Sequence, residues 1–146
     1  MTIALILLAA VILGGLAFIR FAPSDVADWH VDPLTVAKPK SANHWLIRDG
    51  GDAPAVMLPD APDQVAARLD AIARATPGTE LLAGEGFRKT WITRSKWMGF
   101  PDYTSVRLEP EGQGTRLTLF ARARFGESDL GVNRKRAESW LARLQD

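Results

Sequence analysis

Residues 3–19, IALILLAAVILGGLAFI, form a run of seventeen positions without a charge, and Arg20 is the first charged side chain. With its flanks the run reaches about 20 residues, the length a helix needs to span the hydrocarbon core. A buried core helix would carry polar residues at helical spacing, and this run has none. Ile3, Leu8, Ile12, Leu16 and Ile19 are therefore expected to face lipid. A cleaved signal peptide needs a cationic start and a small-x-small cleavage site. Met1-Thr2 offers only the terminal amine, and Ile19-Arg20-Phe21 is a poor cleavage site, so residues 1–22 are expected as an uncleaved transmembrane anchor. Gly14 and Gly15 would let another helix approach closely.

The pattern then changes. Residues 23–52 show no sustained period and carry prolines at 23, 33 and 39, which predicts an extended tether lying over the membrane or wrapping the domain. Trp29 suits docking at an interface, because indole joins an apolar body to one donor. Trp45, in the short apolar run HWLI, suits packing.

Residues 53–146 read as one α+β domain. PAVML predicts a short strand. DAPDQVAARLDAIARATPGT predicts a helix, with Asp60 as cap, Pro62 in the first turn, a Val65-Leu69-Ile72 stripe, and Pro77-Gly78 as stop. Four strands follow, in TELLAGEG, FRKTWITRSKW, YTSVRLEP and TRLTLFARARF, with a hairpin turn at Gly112 and Gly114. In the last strand Leu117, Leu119, Ala121, Ala123 and Phe125 share one face; Arg116, Thr118, Phe120, Arg122 and Arg124 share the other. A final helix from about Arg134 buries Ala137, Trp140, Leu141 and Leu144. An antiparallel sheet packed by two helices on one face is the economical solution.

Charge divides the chain. Residues 23–86 hold 5 Lys and Arg against 10 Asp and Glu, a balance of −5; residues 87–146 hold 12 against 7, a balance of +5. Either the halves attract each other across the fold, or the basic half faces lipid phosphates or an acidic partner. The absence of cysteine suits an oxidising compartment.

Reactive constellations do not assemble from this pattern. His30 and Asp32 could ligate a metal, but a site needs three or four convergent ligands. Ser128 stands beside Asp129 without a nearby base or a nucleophile-elbow turn. GEGF lacks the spacing of a phosphate-binding loop. No cofactor, metal or nucleic acid is expected.

The densest polar run is RFGESDLGVNRKRAESWLARL, residues 124–144. Gly126 ends a strand, Ser128 and Asp129 make side-chain turns, Gly131 permits a bend, and Asn133 is the expected N-cap of a helix beginning at Arg134. Arg134, Lys135 and Arg136 crowd a helix N-terminus, where the dipole disfavours cations. They are expected either to pair with neighbouring acids or to form an anion cradle with Asn133, Arg122 and Arg124. In the former reading one arginine pairs with Asp129 or Asp102.

Residues 98–144 resemble the bacterial and plastid family catalogued as domain of unknown function 1499. The resemblance rests on Phe100, Pro101 and Asp102, then Arg124, Gly126, Ser128, Asp129, Leu130, Gly131, Asn133 and Arg136. Ala123 stands where many members have serine, so a hydroxyl there is not essential. PSDVADWHVDP looks like the post-anchor segment of alphaproteobacterial members. The resemblance implies a membrane-anchored or exported α+β domain without a known cofactor. Arg20 alone, by the positive-inside rule, would keep the domain in the cytoplasm. The resemblance favours a single-pass inner-membrane protein with its domain in the periplasm.

The expected function is non-enzymatic: an anchored accessory domain that docks on a membrane protein complex or on anionic lipid headgroups. One alternative is a carrier of small hydrophobic ligands or lipids, with a pocket between sheet and C-terminal helix lined by Trp91, Trp97 and Phe120. The other is a hydrolase of unrecognised type.

Overall fold

A computed structural model describes residues 2–146. The uncharged run forms α1 (Thr2–Phe21), with no buried residue, long and apolar enough by length and composition to cross a membrane. Four elements lie between α1 and the meander: α2 (Val26–Trp29), β1 (His44–Ile47), β2 (Val56–Leu58) and α3 (Pro62–Ala75). The meander is β3 (Thr79–Glu85), β4 (Arg88–Arg94), β5 (Pro101–Glu111) and β6 (Gly114–Ala123), and α4 (Val132–Gln145) closes the chain. The fold is α+β, as the periodicities predict.

The sheet runs β1-β6-β5-β4-β3, with every named pairing antiparallel, and β2 pairs with β6 beyond the end of β1. Helices α3 and α4 cover one face. Val65, Leu69 and Ile72 of α3 and Ala137, Trp140 and Leu144 of α4 are buried against Trp91, Val106, Leu117 and Leu119; Leu141 is half-buried beside them. Trp140 meets Trp91 edge-on at 5.6 Å and donates its Nε1–H to Thr76 Oγ1 at 3.0 Å, so its polar atom is satisfied inside the core.

Two helix starts differ from the sequence expectation. Asp60 does not cap α3: the N-cap is Ala61 without a side-chain bond, and Asp60 pairs with Arg68 in the second turn of the helix. Asn133 does not cap α4 either. That helix begins at Val132, its N-cap is Gly131 at φ 79°, and Asn133 lies inside the first turn, fully buried.

Residues 23–52, expected as an extended tether lying over the membrane or wrapping the domain, pack on the domain and supply a strand to its sheet. The HWLI run becomes β1, whose Ile47 and Trp45 sit opposite Leu119 and Ala121 of β6. The part before β1 covers the sheet face that the helices leave bare. Trp29 stacks on Tyr103 at 4.0 Å, His30 Nδ1 shares a hydrogen bond with Thr90 Oγ1 at 2.9 Å, and Asp32 pairs with Arg107. Hence Thr118, Phe120 and Arg122, on the face opposite Leu117 and Leu119, are buried too.

Ion pairs link the acidic and basic halves: Asp70 with Lys89 at 2.6 Å, Asp32 with Arg107, and Asp49 with Arg116. The charge asymmetry is thus at least partly satisfied inside the fold.

Candidate functional site

The polar run after β6 builds a junction around Asp129. Its carboxylate accepts hydrogen bonds from the backbone N–H of Gly131 and of Asn133, each at 2.9 Å, and from Asn133 Nδ2 at 2.8 Å. Those N–H groups belong to the start of α4, which has no intrahelical acceptor for them, so Asp129 does the capping expected of Asn133. Burial pushes the Asp129 carboxyl up, but these donors outweigh it and hold the group below the ordinary carboxylate range.

Asn133 is a bridge. Its side-chain carbonyl accepts from Arg136 Nη1 at 2.8 Å, and Arg136 Nη2 reaches Asp102 Oδ2 at 2.8 Å. Asp129, Asn133, Arg136 and Asp102 therefore form one chain of hydrogen bonds joining the loop, α4 and the start of β5. Burial of Asp102 is the larger influence on its carboxyl, raising its pKa against the opposing pull of Arg136.

The junction borders a cleft of about 380 Å³, lined by Phe100, Pro101, Asp102, Phe125, Asp129 and Val132, with Ser95, Ala123, Gly126 and Ser128 completing it. The FPD and SDLG segments, separate in sequence, meet here because β5 begins and β6 ends at the same end of the sheet: Asp102 pairs with Ala123. Leu130 beside the cleft adopts φ 53° and is 89% exposed, a left-handed leucine facing solvent.

This end of the sheet also receives the end of α1 and the residues that follow it. Phe18 meets Phe125 edge-on at 6.3 Å, Arg94 Nη1 donates to the Arg20 carbonyl at 3.1 Å, and Arg124 Nη1 donates to the Pro23 carbonyl at 2.7 Å. Arg20 packs on Gly99, where a Cβ would lie 3.0 Å from its side chain and where φ is 70°. The β4–β5 loop around Gly99 exposes Trp97 and Met98, with Lys96 Nζ 5.2 Å from the Trp97 ring.

The six residues expected to share an anion cradle do not converge. Arg136 is committed to Asp102 and Asn133. Arg134 pairs with Glu138 at 2.7 Å and lies over the Trp45 ring at 4.6 Å. Lys135 is exposed. Arg122 and Arg124 belong to the opposite side of the sheet, where both guanidinium groups approach the Trp29 ring, at 5.7 and 5.6 Å. Sequence spacing could not show this division, since a β-strand of alternating arginines carries no sign of which element covers it.

The residues expected to line a carrier pocket are also apart. Trp91 packs beneath α4, Phe120 lies on the other face, and Trp97 is 84% exposed. His30 and Asp32 go to Thr90 and Arg107, and Ser128 Oγ accepts from Leu130 N–H at 3.3 Å. Among the described residues, no group of three or more His, Cys, Asp or Glu is placed to hold a metal ion.

No curated protein matches the sequence. One solved structure, the crystal structure of TTHA0849 from Thermus thermophilus, is similar at 17% identity with a TM-score of 0.37, over 70% of this chain and 94% of that one. A family model described as "Protein of unknown function (DUF1499)" matches residues 25–144, which take in the N-terminal segment, the whole sheet and both packing helices, and the chain belongs to that family.

Proposed function

We propose that this protein is a membrane-anchored docking domain that seats the cleft end of its sheet on the lipid headgroup layer. The observation that carries this reading is the attachment of α1: Phe18, Arg20 and Pro23 are bonded or packed to Phe125, Arg94 and Arg124. An anchor held this closely keeps Trp97, Met98 and Leu130 near the bilayer surface. Exposed apolar tips beside cations suit that boundary, where indole partitions to the interface and Lys or Arg meets phosphate. Arg20 and Lys96 are the cations placed for it. The membrane would be the bacterial inner membrane and the domain periplasmic, acting as an accessory subunit without chemistry of its own.

The full chain in phosphatidylcholine nanodiscs, with and without brominated acyl chains, tests this. Bromine should quench part of the tryptophan emission, and Trp97→Phe should remove most of that quenching. Equal quenching in the variant would place Trp97 in water and end the lipid-docking reading.

A second reading, docking on a membrane protein complex, draws support from Gly14 and Gly15. A Cβ at either would meet nothing within 4 Å, so that stripe of α1 can admit another helix. Gly14→Leu with Gly15→Leu should then strip co-purifying membrane proteins while leaving Trp97 quenching intact.

A further inference from the structure

A second cleft, of about 430 Å³, lies between the N-terminal segment and the sheet face opposite the helices. Asp28, Ala37, Gly126 and Glu127 are its exposed lining; Asn43, Phe120 and Arg122 are its buried floor. Arg122 is 6% exposed, and among the described residues no carboxylate pairs with it. A buried guanidinium ordinarily has an acid beside it, because removing the charge from water costs several kcal/mol.

Here the compensation is neutral. Arg122 donates to Ser105 Oγ at 3.0 Å, to the Phe120 carbonyl at 3.1 Å and to the Trp29 carbonyl. Its guanidinium carbon lies 4.7 Å from the Phe120 ring and 5.7 Å from Tyr103. Ring faces and carbonyl dipoles stabilise a cation without cancelling its charge. Burial lowers its pKa to about 10, which leaves it a cation at neutral pH. Arg124 lines the same cleft, and Val31, Val36 and Pro39 give it an apolar wall.

We propose that this cleft binds the carboxylate of a small amphiphile, with Arg122 and Arg124 taking the acid group and the apolar wall taking the hydrocarbon. A carboxylate supplies the missing single negative charge and matches the guanidinium fork. The acids at the mouth, Asp28 and Glu127, select against a second negative charge and so against phosphate dianion. Arg124 bonds to Pro23, two residues past the end of α1, so an amphiphile dissolved in the bilayer has a short path to the cleft. This site is separate from lipid-surface docking: the two share only Arg124, and the positions varied below, Arg122 and Ala37, take no part in the docking contacts.

Calorimetry on the full chain in phosphatidylcholine nanodiscs, with empty nanodiscs subtracted, tests it using hexanoate, hexanol and inorganic phosphate. Hexanoate should bind saturably, hexanol should not, and phosphate should not displace hexanoate. Arg122→Gln should weaken binding at least tenfold. Because Arg122 also holds Trp29, that variant can lose its fold; Ala37→Trp, at an exposed position of the mouth, should weaken binding as much at unchanged Tm. Absence of saturable hexanoate binding, or binding that Ala37→Trp leaves intact, overturns the site. Equal displacement by phosphate overturns the carboxylate assignment.

Discussion

Arg136 in the first turns of α4 and Asp102 at the start of β5 form an ion pair at 2.8 Å with both side chains nearly out of water, at 12% and 13% exposure. The pair fastens the C-terminal helix to the strand end that carries the cleft, and Asn133 ties Arg136 in turn to the Asp129 cap.

Breaking this pair from one side leaves a buried charge alone. Arg136→Met should lower stability by about 3–5 kcal/mol, while Arg136→Met with Asp102→Leu should recover most of that loss, because two apolar residues leave no orphan charge. Urea unfolding of the three proteins measures both. A double variant no more stable than the single one would show that the hydrogen bonds, not the charges, carry the contact.

Asp129 and Asn133 separate capping from bridging. Asp129→Ala removes the acceptor of the α4 N–H groups and should cost about 0.5–2 kcal/mol. Asn133→Ala keeps that cap but deprives Asp129 and Arg136 of a buried partner, with an expected loss of about 1–3 kcal/mol. Lys135→Glu, on the exposed side, should change stability by less than about 0.5 kcal/mol. Thermal unfolding of the three ranks them.

Trp140 is 1% exposed between α3 and the sheet. Trp140→Ala should cost about 3–5 kcal/mol, as other large-to-small core changes do. Thr76→Val keeps the volume but leaves the indole N–H without its acceptor, which should cost about 1–3 kcal/mol. A loss below about 1 kcal/mol for Trp140→Ala, read by denaturant titration, would contradict its place in the core.

His30 gives a pH dependence. Burial, then the charges of Arg88 and Arg122, lower its pKa in the folded protein, with Asp32 opposing. Its ordinary value is 6.5. The unfolded chain therefore takes up this proton first as pH falls. Stability from this group is present above 6.5 and declines as pH drops from there through the lowered value. His30→Gln should flatten that part of the stability–pH curve; an unchanged slope would assign it to other groups.

Much of the fold is legible in one dimension. The uncharged run reads as one apolar helix, and α1 is that helix; periods of two and about 3.6 place Leu117, Leu119, Trp140 and Leu144 on buried faces. The residue types at the junction predict an arginine paired with Asp129 or Asp102, and the structure chooses Arg136 with Asp102. What a period cannot supply is the identity of whatever covers a face. Arg116, Thr118, Phe120 and Arg122 alternate like an exposed edge, yet Arg122 is buried because proline-broken chain some ninety residues earlier lays Trp29 over it. Asn133 has the chemistry of a cap, but Gly131 can take the left-handed turn that starts the helix sooner, which moves Asn133 inside and leaves the capping to Asp129. In both cases the deciding interaction joins segments whose meeting depends on the sheet being formed, and only the tertiary structure brings them together.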